Sequence, residues 1–121
     1  MFQLNAWLRY YLYSRPADMR KGFDGLSGLV ANELGRDPHS GEVFVFVNSR
    51  RTHIKLLHWE SGGFTLYYKR LESGTFELPK INPESGGAMI TWHDLLFMIE
   101  GVSLSTIRYR KRFELPRKMV V

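Results

Sequence analysis

Glu42-Val43-Phe44-Val45-Phe46-Val47-Asn48 is the stretch on which the fold turns. The run from Val43 to Val47 has no polar face, so it reads as a central strand covered on both sides rather than one half-open to water. Residues 48–52 supply a turn, and residues 53–60 (HIKLLHWE) partly alternate, as a neighbouring strand does. Glu60-Ser61-Gly62-Gly63 gives a four-residue hairpin loop, and residues 64–71 (FTLYYKRL) return along it. Glu72-Ser73-Gly74 turns again into a short closing strand at residues 75–78.

Upstream, apolar residues recur at Met19, Phe23, Leu26, Val30 and Leu34, the spacing of one helix face. The predicted helix spans about residues 19–34, with Asp18 as N-cap and Gly35 as a left-handed C-terminal cap. Residues 7–13 (WLRYYLY) read as a first strand, stopped by Ser14-Arg15-Pro16. Downstream, residues 79–87 are loop and residues 88–90 a last short strand. Thr91 and Asp94 have capping-box spacing at the head of a second helix, with Trp92, Leu95, Leu96 and Ile99 on its apolar face and Gly101 at its end. Two helices and five or six mostly antiparallel strands make an α+β domain, an antiparallel β-meander expected over residues 1–107 with a basic tail at 108–121.

A chain of 121 residues, 44% apolar and 14% aromatic, suits one compact domain with its own core. It has no cysteine, which excludes disulfides and thiolate metal sites and suits a reducing cytosol. No apolar run is long enough to span a membrane, and residues 1–13 lack the pattern of a signal peptide, so the expected location is the cytoplasm. The net charge of +5 is localised. Arg108, Arg110, Lys111, Arg112, Arg117 and Lys118 oppose only Glu114, an excess that equals the whole +5 and leaves the body neutral. A basic tail of this kind seeks phosphate, releasing a counterion with each contact, or serves as a solvated terminus.

Arg15, Arg20 and Lys21 surround the start of the first helix, whose free N–H groups and dipole attract an anion unless Asp18 already caps them. Gly22, Gly25 and Gly28 form a smooth strip along that helix, which lets another element of the fold or a partner approach. In the sheet, Arg50, Arg51, Lys55, Lys69 and Arg70 interleave with His53, His58, Trp59, Tyr67 and Tyr68. Basic and aromatic residues together bind single-stranded nucleic acid, the rings stacking on bases and the cations tracking phosphates; strand aromatics also pack cores. The four histidines have no metal-ligand spacing, and no nucleophile or phosphate-loop motif occurs, so neither a metal nor another cofactor nor an enzymatic activity is expected. A metal-dependent nuclease would have to gather Asp18, Asp24, Glu60 and Glu72.

The blocks Asp18-Met19-Arg20-Lys21-Gly22-Phe23-Asp24-Gly25-Leu26, Val45-Phe46, Lys55-Leu56-Leu57-His58-Trp59-Glu60, Gly63-Phe64 and Tyr68-Lys69-Arg70-Leu71-Glu72, with Gly74 and Phe76, resemble one family. It is the TnpB-type (Orf2) accessory protein of the insertion sequence sixty-six family of bacterial transposable elements. The likeness runs over about residues 8–101, and Glu100-Gly101 matches the end of the family's closing helix. The resemblance implies a non-enzymatic protein that accompanies a separate transposase, which carries the DNA-cutting carboxylates. Arg20, Lys21, Lys55, Trp59, Lys69 and Arg70 match the family pattern and are candidates for function; Asp18, Phe23 and Leu26 match it as cap and core. With Arg50, Arg51 and the tail's Arg108, Arg110, Lys111 and Arg112 they form the candidate nucleic-acid-binding set. The expected partners are the transposase of the same element and DNA, with no membrane; a pure protein adaptor without DNA affinity is the alternative.

Overall fold

The computed structural model describes residues 4–100, so the basic tail and the expected domain limit at residue 107 lie outside it. The elements are β1 (Tyr10–Tyr13), α1 (Phe23–Asn32), β2 (Val43–Val47), β3 (His53–Glu60), β4 (Gly63–Arg70), a 3-10 turn (Pro83–Ser85), β5 (Gly87–Ile90) and α2 (Trp92–Glu100). They build one five-stranded sheet in the order β4-β3-β2-β1-β5, with β2 at its centre and all five of its residues buried.

Alternate residues of the central strands feed two cores, one on each side of the sheet. Leu26 and Val30 of α1 pack with Tyr13, Phe44, Phe46 and Leu57. Leu95, Met98 and Ile99 of α2 pack with Tyr10, Leu12, Val43, Val45, Val47, Ile54 and Leu56. The expectation of a strand without a polar face is met for this reason: each face of β2 carries a helix.

The sheet is mixed rather than an antiparallel meander throughout. β2, β3 and β4 are successive antiparallel neighbours, but β1 runs parallel to β2, with Tyr10 beside Val43, and antiparallel to β5. A tight hairpin cannot join parallel strands; α1 carries the chain back so that β2 starts level with β1.

Several boundaries differ from the sequence reading. The first strand is shorter, because the Asn5 carboxamide oxygen accepts the N–H groups of Trp7 (2.9 Å) and Leu8 (3.2 Å) and folds residues 5–8 into a turn. Trp7 stands 93% exposed on it. α1 begins at Phe23, with Gly22 as N-cap and no side-chain cap. Asp18 instead accepts the Arg20 N–H at 2.9 Å and caps a separate turn, leaving Phe23 at the helix start 47% exposed rather than in the core. Residues 75–78 form no strand; Phe76 is fully buried in the α2-side core, its N–H donating to the Arg51 carbonyl at 2.7 Å.

Other readings hold. Gly35 has φ +63, and beyond it the Arg36 N–H reaches back to the Val30 carbonyl. β3 has the expected limits, and the loop to β4 tightens to Ser61 (φ 50) and Gly62 (φ 80), the left-handed pair of a type I′ hairpin turn. The capping box is formed: Thr91 N–H donates to Asp94 Oδ2 at 3.1 Å, and Asp94 N–H donates to Thr91 Oγ1 at 3.0 Å.

Candidate nucleic-acid interface

Strand direction sorts the charges. β1 and β2 end on the same side of the sheet, β3 begins there, and the register that sets His53 opposite Arg70 brings the end of β4 to the same place. Arg15 follows β1, Arg50 and Arg51 form the β2–β3 turn, and Arg70 closes β4, so four arginines from three separate stretches of sequence share one end of the sheet. Two have acidic neighbours, Arg15 with Glu33 at 3.7 Å and Arg70 with Glu72 at 3.0 Å. All four of these side chains are well exposed, so water and salt weaken both pairs. Arg50 and Arg51 are exposed, with no paired carboxylate among the described residues. The opposite end, where β2 begins and the β3–β4 hairpin turns, is where Arg36 meets Glu42 at 2.6 Å. That guanidinium holds the Glu42 carboxyl below its ordinary range, against the effect of burial.

The arginine turn is held from within. The Asn48 side-chain oxygen accepts the N–H groups of Thr52 (2.9 Å) and His53 (3.0 Å), and its amide donates to Thr52 Oγ1 at 3.1 Å. Arg51 has φ +58, a conformation side-chain-bearing residues seldom adopt, and its carbonyl is fixed by Phe76. The bonds around Asn48 and Phe76 over-determine the turn, so Arg50 and Arg51 project from a set backbone.

Beside the turn, Tyr68 and Arg70 share the face of the sheet on which Lys55 reaches the loop before α1. An open cleft of about 360 Å³ is lined by His53, Tyr68, Arg70 and Glu72. Tyr68 is 53% exposed, its ring 5.9 Å from that of His53, with the Lys55 ammonium 4.5 Å from its centroid. An exposed ring with cations around it can stack on a base while arginine meets the adjoining phosphate.

The remaining sequence candidates are distributed elsewhere. Lys55 is buried and donates to the carbonyls of Met19 and Lys21, both at 2.8 Å. Lys21 is half-buried, its stem against Gly25, where an added Cβ would come within 3.0 Å of it. Gly22 has open space around it, so only part of the glycine strip is covered. Arg20 is exposed but chelated by Asp18, which its hydrogen bonds pull down to about 2. Trp59 packs edge-on against Phe64 (4.9 Å) and His39 (4.6 Å). Lys69 points to the α2 face, 3.4 Å from the Ile99 carbonyl. Arg108, Arg110, Lys111 and Arg112 lie outside the described residues. Among the described residues no three histidine or acidic side chains gather as a metal site would need, Asp18, Asp24, Glu60 and Glu72 included.

The sequence reading missed the meeting of Arg15 with the Arg51 turn. Its only signal would have been the parallel pairing of β1 and β2, which brings the loops after both strands together.

Fold and site define a small α+β domain with a helix on each sheet face and an arginine-rich end. Residues 8–109 match the family described as IS66 Orf2 like protein, and the chain belongs to that family. Membership associates it with transposition, in an accessory role. Two curated relatives come from Sinorhizobium fredii (strain NBRC 101917 / NGR234). "Uncharacterized protein y4jC" is 30% identical over 93% of both chains. "Uncharacterized protein y4hO" is 30% identical over 78% of this chain and 81% of its own. No solved structure matches the chain. No helix among the described residues is long and apolar enough to cross a membrane.

Proposed function

We propose that this protein assists a separate transposase of the same element in the bacterial cytoplasm, binding DNA weakly while also contacting the transposase. The observation that carries the DNA contact is the collection of Arg15, Arg50, Arg51 and Arg70 at one end of the sheet, with Arg50 and Arg51 displayed on a held turn. Tyr68 beside them offers a stacking surface, and Lys55 supports that ring from below. The tail's Arg108, Arg110, Lys111 and Arg112 add phosphate contacts that are indifferent to sequence. Arg20, Lys21, Trp59 and Lys69 are further candidate contacts, Arg20 with its side chain 91% exposed.

A pure adaptor for the transposase is the second reading, favoured by Trp7 at 93% and Phe23 at 47% exposure. Aromatic side chains that stand out from a surface are the anchors protein partners bury. Titration of the full chain against duplex and single-stranded element ends at two salt concentrations separates the readings. DNA binding gives a log–log salt slope of about −0.9 per neutralised phosphate on duplex, reduced when Arg50 and Arg70, or the four tail cations, become Gln. No binding to DNA, with capture of the transposase retained, establishes the adaptor instead.

A further inference from the structure

The loops that follow β1 and β2 enclose a second, smaller cleft. Its volume is about 130 Å³, and its lining includes Ser14, Arg15 and Pro16 from the first loop, Asn48, Ser49 and Arg51 from the second, and Leu78. A cleft of that size has room for one tetrahedral oxyanion. The first loop is tied to the end of β2, since Ala17 N–H donates to the Val47 carbonyl at 2.9 Å. A crevice outside the carboxyl ends of parallel strands is where open sheets with crossover helices place their ligands.

The chemistry of the lining is selective. Two arginines from different loops line the cleft, and the planar fork of N–H donors on a guanidinium matches phosphate oxygens in pairs. The Glu33 carboxylate, which accepts the hydroxyl of the lining residue Tyr13 at 2.9 Å, lies 3.7 Å from Arg15 and is exposed, so water weakens that pair; Arg51 has no paired carboxylate among the described residues. Ser14 also lines the cleft, although its hydroxyl, without a partner among the described residues, is closed to solvent and does not face the opening.

We propose that this cleft is a phosphate-binding site, in which Arg15 and Arg51 hold one phosphate group at the carboxyl ends of β1 and β2. The group belongs either to a nucleic-acid backbone or to a phosphate monoester, terminal or free. The nucleic-acid form rests on the DNA-binding reading above; the site itself does not. Arg50, one residue away, does not line the cleft, so its charge counts for general attraction only.

Inorganic phosphate is the first probe, titrated into the full-length protein against chloride at equal ionic strength and followed by backbone amide shifts. The expected result is a saturable response at Ser14, Arg15 and Asn48 to Thr52, weakened about tenfold or more by Arg51→Asn and by Arg15→Gln, but not by Arg50→Gln. Asn is chosen because it tolerates the left-handed backbone at position 51, and an unchanged melting temperature shows that the variant folds. A short oligonucleotide with and without a 5′-phosphate distinguishes the sources. Tighter binding of the phosphorylated form that Arg51→Asn removes identifies a monoester site; equal binding that Arg51→Asn removes identifies a backbone site. Loss of the phosphate response in Arg51→Asn with oligonucleotide binding intact keeps the site and overturns its nucleic-acid form. Amides around the cleft that ignore phosphate, or a response equally lost in Arg50→Gln, overturn the proposal.

Discussion

The ammonium nitrogen of Lys55 lies 2.8 Å from the carbonyl oxygen of Met19, a contact between residues 36 apart in the chain. A second bond of equal length reaches the Lys21 carbonyl, and the Tyr68 ring lies on the charge at 4.5 Å. The Asp18 carbonyl accepts from Lys21 N–H and the Gly22 carbonyl from Leu26 N–H, while Lys55 supplies from β3 the donors for the carbonyls of Met19 and Lys21. The same lysine fastens this loop to the sheet and underlies the exposed ring of the candidate interface.

Lys55→Met keeps the aliphatic stem and removes both donors. The expected cost is about 2–4 kcal/mol, measured by urea unfolding, with faster amide exchange concentrated in residues 18–26. The salt slope of DNA binding stays unchanged, because a buried ammonium releases no counterion; a slope reduced by about 0.9 would assign Lys55 a direct phosphate contact.

Phe23 and Leu26 lie on the same predicted helix face but separate in the fold, 47% and 0% exposed. Leu26→Ala is expected to cost about 2–5 kcal/mol and Phe23→Ala about 1 kcal/mol. Equal losses in thermal unfolding would put Phe23 back in the core.

Glu42→Gln tests the ion pair with Arg36. The carboxyl's folded-state value lies below the ordinary 4.5 because Arg36 hydrogen-bonds its charged form. Its stabilisation is therefore complete above that ordinary value and is lost as pH falls through the depressed one. The variant is expected to be about 2 kcal/mol less stable at pH 7, with the gap closing under acid. A gap that is constant down to pH 2 would mean that the pair contributes through shape alone.

Asp94→Ala opens the capping box of α2, freeing the Thr91 N–H that Asp94 accepts at 3.1 Å. About 1 kcal/mol should be lost, read as a lower melting temperature, and Asp94→Glu should recover most of it.

Tyr68→Leu keeps bulk on β4 and removes the stacking surface. Affinity for single-stranded DNA should fall by about 1–3 kcal/mol while duplex affinity changes less. A variant that binds both forms as the parent does would remove Tyr68 from the interface.

Where neighbours in sequence decide, the sequence alone determined the outcome. β2 had to be central, since five successive apolar residues are tolerated only under cover on both faces. The chain had to turn within Glu60-Ser61-Gly62-Gly63, and Thr91 with Asp94 had to start α2, because those interactions close within four residues. The tertiary structure decided what depended on competing distant partners. Asp18 had two local uses and took Arg20 rather than the helix, leaving the carbonyls of residues 19 and 21 for Lys55. Phe76 left the sheet because burial in the α2-side core and the Arg51 carbonyl together held it. The meeting of Arg15 with Arg51 follows from the parallel pairing of β1 and β2, a contact made across α1. Periodicity and capping act over a few residues, whereas the partner that a lysine or arginine finally takes depends on which chain segments packing brings within about 3 Å.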